Sequence, residues 1–380
     1  MIDRLLASSL AKSKKSVLLL GPRQTGKSTL LSSLKPDLII NLADQQEYFE
    51  YQSDQGLIRR IIDAKKPKLV LIDEIQRIPD LTNTLQSIID RDKSPKFLLS
   101  GSSARKLKRG NANLLPGRIL TYKLGPLCLA ELDYNIHNQH DLMYGFLPEV
   151  YTEKSLVFKE KLLASYASTY LKEEIQAEAI VRSLPGFARF LQVAASNSGS
   201  FLDISKMSKN AKIPRQSAVR HFEILEDTMI AHRITPDPLC SELDLVKHPK
   251  YYFFDTGVLN GLLGNFIPSQ DRIGRLFEHV FATQLFSSSF AKDIEPKVHT
   301  FRTRGGLEVD FIVHVNKKSF AIELKSSSSI SPSDIRSLEQ VQKIYPRKIE
   351  GYLAYRGTKE QKLGKIWILP WAKVIKEVGL

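Results

Sequence analysis

The chain has only two cysteines in 380 residues, Cys128 and Cys240, each in apolar or proline-flanked surroundings and with no C-x-x-C pair. That scarcity excludes a disulfide framework and a thiolate metal centre. Long apolar runs are missing as well. No stretch approaches the ~20 residues that a membrane span requires, so no membrane partner is expected. Residues 1–15 carry Ile2, Leu5, Leu6 and Leu10 at helical spacing among charges. They lack the apolar block of a secretion signal, and the expected location is the cytoplasm. Internal repeats are absent too, which sets aside solenoids and propellers. Acid is the scarcer charge: 41 Asp and Glu stand against 55 Lys and Arg, for a net charge of +14. Such an excess points to a polyanionic partner, nucleic acid before a membrane surface.

What is present begins with Gly21-Pro22-Arg23-Gln24-Thr25-Gly26-Lys27-Ser28, directly after the apolar run Val17-Leu18-Leu19-Leu20. This is G-x-x-x-x-G-K-S in its structural context: a buried strand ends, a glycine-rich loop turns, and a helix opens. The loop N–H groups and the helix N-terminus form an anion cradle. Lys27 can reach the β- and γ-phosphates of ATP, and the Ser28 hydroxyl can ligate Mg²⁺, with Thr29 completing the segment. Residues 38–42 read as a second buried strand. Residues 68–72 form an apolar strand that ends in Asp73 and Glu74. At the carboxyl edge of a parallel sheet, Asp73 can hold the magnesium shell and Glu74 can polarise the attacking water. A further apolar run, 97–99, ends in Ser100-Gly101-Ser102-Ser103. A hydroxyl here can sit between the acids and the γ-phosphate, and Ser100 and Ser102 are equal candidates.

Alternating strands and helices through residue 125 predict an α/β parallel sheet with helices on both faces. Phosphate loop, Asp-Glu, then serine at successive strand ends resembles the AAA+ branch of phosphate-loop ATPases. Leu115-Pro116-Gly117-Arg118, then Leu124-Gly125-Pro126-Leu127 and Glu131-Leu132, narrow the likeness. They resemble the bacterial and archaeal AAA ATPases that carry a C-terminal DUF4143 domain. That resemblance implies ATP and Mg²⁺ as cofactors, a homo-oligomer (a hexamer first), and Arg118 as arginine finger; an ordinary structural arginine is the alternative. Gly145-Phe146-Leu147-Pro148 matches the family's turn, and Lys250-Tyr251-Tyr252-Phe253-Phe254-Asp255-Thr256-Gly257 its K-x-Y-F-x-D-x-G segment. Arg182 and Arg189 are the arginines of the helical stretch that could serve as a second sensor.

The expected divisions are an ATPase core over 1–135, a helical lid over 136–196, a winged helix and linker over 197–248, and a nuclease-like domain over 249–380. In the winged-helix unit, Ala218, Phe222 and Leu225 make the apolar stripe of a second helix. Arg215, Gln216 and Arg220 lie off that stripe, where DNA contacts would arise; packing or dimerisation is the other use of such a unit. Further on, Asp310 stands thirteen residues before Glu323, and strand periodicity puts Glu323 and Lys325 on one face. With Glu278 on the preceding helix, this resembles the restriction-endonuclease-like PD-(D/E)xK fold. The three carboxylates would gather Mg²⁺ and Lys325 would serve water. Cleavage of DNA, branched DNA such as a Holliday junction included, and a docking role without cleavage both remain open at this point.

Overall fold

The computed structural model describes residues 2–92, 94–103, 117–170, 183–295 and 297–380. Leu115, Pro116 and Arg182 lie outside them. The chain divides into two compact units: residues 1–125 with 227–230 and 290–293, and residues 126–226, 231–289 and 294–380.

The first unit is built on a five-stranded sheet. Its strands are β1 (Ser16–Leu20), β2 (Leu38–Asn41), β3 (Leu69–Asp73), β4 (Lys96–Gly101) and β5 (Ile119–Lys123). All neighbours are parallel, in the order β2-β3-β4-β1-β5. Helix α1 (Leu6–Lys12) leads into β1; parallel pairing requires crossovers, and α2 (Lys27–Ser32), α3 (Gln45–Ser53), α4 (Leu57–Lys65) and α5 (Leu81–Arg91) supply them as far as β4. The unbroken apolar runs of β1, β3 and β4 pack on both faces, as two apolar clusters record. The strand at 38–42, expected to be buried, is instead the sheet edge. Ile39 is 51% exposed, because β2 has a partner on one side only.

The second unit opens with α6 (Asn138–Tyr144), α7 (Pro148–Thr152) and α8 (Leu156–Ser165). Three helices follow, α9 (Leu184–Ser196), α10 (Ile204–Ala211) and α11 (Arg215–Asp227). Serine and aspartate caps start two of them: Ser183 accepts from Gly186 N and Asp203 from Lys206 N. Strands β6 (Ala231–Pro236) and β7 (Lys250–Phe253) come next and pair antiparallel. Then come α12 (Thr256–Leu263) and the long α13 (Gln270–Ala291). The rest comprises β8 (Lys297–Arg302), β9 (Glu308–Val315), β10 (Lys318–Lys325), α14 (Arg336–Ile344), β11 (Glu350–Tyr355), β12 (Gln361–Leu363), β13 (Ile366–Pro370) and α15 (Trp371–Glu377). One mixed sheet runs through all eight strands, in the order β12-β13-β11-β10-β9-β8-β6-β7. Strand β6 joins it through just two residue pairs, Thr235 with His299 and Pro236 with Thr300.

The Gly-Phe-x-Pro turn and the Asp-x-Gly segment meet around one buried carboxylate. Asp255 accepts from Phe146 N at 2.7 Å and from Val258 N at 3.0 Å. A Cβ on Gly145 would stand 2.2 Å from its oxygen, and one on Gly257 would stand 2.1 Å from Tyr144 O. Thr256 and Asn260 extend the lock by donating to the carbonyls of Asp141, Leu142 and Met143.

Candidate functional site

In the first unit, the loop between β1 and α2 turns on Gly26, whose φ of 89° is left-handed and suits glycine. Gly21, Pro22, Thr25 and Lys27 are buried, Arg23, Gln24 and Gly26 half-buried, and Ser28 and Thr29 exposed. Lys27 Nζ folds back over the loop and donates to the carbonyls of Gly21 and Pro22, both at 2.8 Å. Its ammonium therefore lies over whatever the loop N–H groups hold. Arg4 is a residue that sequence reasoning missed. Its guanidinium bonds Thr25 O at 2.6 Å and Gly125 O at 2.9 Å, tying the loop to the end of the sheet.

Because every strand is parallel, the carboxyl ends of β1, β3 and β4 share one edge. Strand β4 lies between β1 and β3, so the position at its carboxyl end level with Asp73 falls between the loop and the acids. Ser100 holds that position. Its hydroxyl donates to Asp73 Oδ1 and accepts from Glu74 N at 3.0 Å. Ser102 does something else: its Oγ accepts from Gln76 Nε2 at 3.2 Å, and the same amide donates to the Glu74 carboxylate. Gln76 is thus a second residue with no signal in the motif; its side chain orients Glu74, whose own backbone is left-handed at φ 59°. Asp73 and the Ser28 hydroxyl offer hard oxygen donors, a set that fits Mg²⁺. Asp73 Oδ1 is taken by Ser100, which leaves Oδ2 for a cation shell.

Arg118 lies elsewhere. It precedes β5, and β5 runs beside β1 with Ile119 opposite Ser16 and Lys123 opposite Leu20. The phosphate loop follows Leu20, so Arg118 is at the far end of the strands, about 15 Å away along the sheet. That separation rules out contact with its own chain's loop. Its guanidinium grips the Asp90 carboxylate on α5 with two nitrogens, Nε and Nη2. This bidentate bond is the main reason the Asp90 carboxyl sits below its ordinary range.

In the second unit, α11 carries Arg215, Gln216 and Arg220 on its exposed side, with Ala218, Phe222 and Leu225 buried. Gln216 and Arg220 line a groove with Ser183, Gly186 and Ile213. Arg189 is bound within the helical set, its Nε donating to Ala211 O at 3.1 Å.

The acidic positions of the C-terminal strands come together around an unexpected cation. Phe311 pairs with Ile322, which brings Asp310 to the level of Glu323, and Leu324 N donates to Asp310 Oδ2 at 2.7 Å. Glu278 on α13 is bonded by Lys250 at 3.0 Å and by the Tyr252 hydroxyl. Lys250 also stands 3.6 Å from Glu308, and Lys325 stands 3.3 Å from Glu323. Burial, with Glu278 and Glu323 adding repulsion, drives the Asp310 carboxyl well above its ordinary range. Burial also raises Glu323, against the pull of Lys325. For Lys250, burial opposes its charge, but Glu278, Asp310 and Glu308 prevail and its affinity for the proton rises. Among the described residues, Glu278, Asp310 and Glu323 do not bring ligand atoms within 4.8 Å of one another. Lys250 was missed because its signal was that of a packing segment: an aromatic run beside a lysine.

Family models extend across most of the chain. An AAA domain matches residues 13–133, a domain of unknown function (DUF8612) matches 138–268, and another (DUF4143) matches 273–374. Two uncharacterised mycobacterial proteins, from Mycobacterium tuberculosis and Mycobacterium bovis, are each 25% identical over 332 residues, covering 85% of this chain and 72% of theirs. Among solved structures, the replication initiator DnaA bound to AMPPCP and single-stranded DNA shares 13% identity over 58% of this chain and 85% of that one, at a TM-score of 0.27. A Vibrio cholerae protein shares 9% over 96% of both chains, at 0.21. Likenesses that distant carry no argument about this chain. An AAA domain thus comes first and a DUF4143 domain last, which is the domain architecture of the AAA proteins with a C-terminal DUF4143 domain that the sequence resembles.

Proposed function

We propose that this protein is a Mg²⁺-dependent ATP hydrolase that acts on DNA. The carrying observation is the meeting of Lys27, Asp73, Glu74 and Ser100 at one sheet edge. In this reading Lys27 binds the β- and γ-phosphates, Ser28 and Asp73 hold Mg²⁺, and Ser100 fixes the Asp73 carboxylate. Glu74, steadied by Gln76, orients the attacking water. Mg²⁺ held by these residues would supply positive charge to offset that developing on the phosphate. Arg118, too distant to serve its own loop, would serve a neighbouring subunit of a homo-oligomer closed head to tail as a ring, with the hexamer that the resemblance implies first.

The net charge of +14 and the exposed Arg215, Gln216 and Arg220 support DNA as partner. The helical set α9–α11 followed by the antiparallel β6 and β7 supports a winged-helix unit with α11 toward the groove. Duplex or branched DNA, Holliday junctions among them, suits an oligomeric motor of this kind. The test is DNA affinity in Arg215→Ala and Arg220→Ala. Each should weaken binding across sequences and lower the salt slope by about one; unchanged affinity and slope in both would remove this helix from the interface.

Lys250 favours a second reading, in which ATP state controls partner binding and the C-terminal fold only docks. Its ammonium pairs with Glu278, one of the three acids that a nuclease would use for metal. Nicking assays with Mg²⁺ separate the two. A nuclease loses cleavage in Asp310→Ala and Lys325→Ala while ATP turnover persists; a docking domain cleaves in none of the three proteins.

A further inference from the structure

A different cluster in the second unit has the composition of a metal site. Asp237, the residue after β6, meets His299 of β8 and His314 of β9, and their ligand atoms all lie within 4.8 Å of one another. It is distinct from the acidic cluster, since His314 is four strand residues, about 13 Å, from Asp310 along β9. The Asp237 side chain is fully buried.

Two ring nitrogens here are buried without a hydrogen-bond partner, His299 Nδ1 and His314 Nε2. The second stands 3.3 Å from Asp237 Oδ2, close enough for attraction but not aligned as a hydrogen bond. A proton shared between His314 and Asp237 would satisfy one of them and leave His299 Nδ1 orphaned. A divalent cation satisfies all three groups together.

The outer contacts are those that orient metal ligands. His314 Nδ1 is 3.0 Å from Ser319 Oγ. Asp237 Oδ1 takes Leu239 N at 3.0 Å, and the Tyr345 hydroxyl bonds Oδ2. His314 and Asp237 are thus each held by a contact outside the cluster, the kind of contact that fixes tautomer and ligand orientation in metalloproteins. Two imidazoles and one carboxylate suit Zn²⁺ rather than Mg²⁺ or Ca²⁺. Closing on an ion at ~2.0–2.1 Å would draw the ligand atoms to about 3.3 Å apart, a contraction that side-chain rotations supply.

We propose that Asp237, His299 and His314 form a three-ligand Zn²⁺ site, with water in the fourth position, that fastens β6 to the C-terminal strands. Its place explains the need. The ladder from β6 to β8 is only two residue pairs long, and the cluster sits at its end.

The experiment uses the whole chain, stripped with a chelator and titrated with Co²⁺ and then Zn²⁺. One equivalent of Co²⁺ should develop the visible bands of a four-coordinate ion, Zn²⁺ should displace it, and Zn²⁺ should raise Tm where Mg²⁺ does not. Asp237→Asn and His314→Gln should lose the bands, and His137→Gln should keep them. Tyr345→Phe, which removes only an outer contact, should bind about 10–100-fold more weakly. Absence of both bands and Tm shift in the unmodified chain overturns the proposal, as does equal uptake by the Asp237 and His314 variants. If those variants fail to fold, the Tm response of the unmodified chain and the affinity of Tyr345→Phe decide it.

Discussion

The hydroxyl of Ser100 donates to Asp73 and accepts from Glu74 N, so one buried side chain couples the acid proposed to hold Mg²⁺ to the acid proposed to orient water. Ser100→Ala should lower kcat about tenfold with little change in nucleotide affinity, since the hydrogen bonds it removes are worth about 1–3 kcal/mol. Ser102→Ala should be milder, because Ser102 reaches Glu74 only through Gln76. Glu74→Gln should cut kcat by about 10²–10⁴-fold while binding persists, and Lys27→Ala should lose binding itself. Steady-state ATP turnover beside nucleotide titration checks all four. The choice between the two serines could not be read from sequence, because both follow the same apolar run. Only the β3–β4 register settles which hydroxyl points at Asp73. At Gly257, an alanine Cβ would meet Tyr144 O at 2.1 Å. Gly257→Ala should therefore cost about 3 kcal/mol or more in urea unfolding, the range of severe backbone clashes.

At the scale of elements, the strand ends carry the legible part of the site. The phosphate loop, Asp73-Glu74 and the pairing of Asp310 with Glu323 were readable because strand periodicity and motif spacing are local. Lys250 was not, because it reaches Glu278 across 28 positions of chain. Strand β2 misled for a related reason: an apolar edge strand and an apolar central strand read alike, and only the sheet order separates them. Arg118 and Asp90 link β5 to α5 with both side chains partly exposed, 33% and 47%. Asp90→Asn should scarcely move Tm. Mixed assemblies test the role across subunits: Arg118→Ala subunits should partially rescue Lys27→Ala subunits, and absence of rescue at every ratio would leave Arg118 a structural residue.

The turn around Asp255 makes a pH prediction. Burial pushes this carboxyl up to about 6, against three backbone N–H donors, while the unfolded chain titrates near 4. The folded state therefore holds the extra proton between those values. Its contribution is greatest below the unfolded value and is lost as pH rises to 6. Asp310, raised in the same direction, adds to that slope. His221 and His279, each buried and pushed down to about 4, oppose it, because stability is lost as pH falls below the ordinary histidine range. A difference measurement isolates the term. From pH 4 to 6.5, unmodified protein should lose stability relative to Asp255→Asn, and parallel profiles would contradict the assignment.

For the whole molecule, the AAA domain first and the DUF4143 domain last were legible because each announces itself by short motifs, whereas the sheet shared by β6, β7 and the C-terminal strands was not. Its two-pair junction at Thr235 and Pro236 leaves no pattern in the chain. The charge of +14 and the exposed arginines of α11 are the grounds on which DNA is proposed as the partner. Phosphate contacts of that kind weaken steeply with salt. The most direct test is ATP turnover by the whole chain with Mg²⁺, measured without DNA and with duplex, single-stranded or junction DNA at several salt concentrations. The account predicts turnover that depends on Lys27, rises with at least one of these DNAs, and loses the rise at high salt. Turnover unchanged by every DNA at every salt would contradict it.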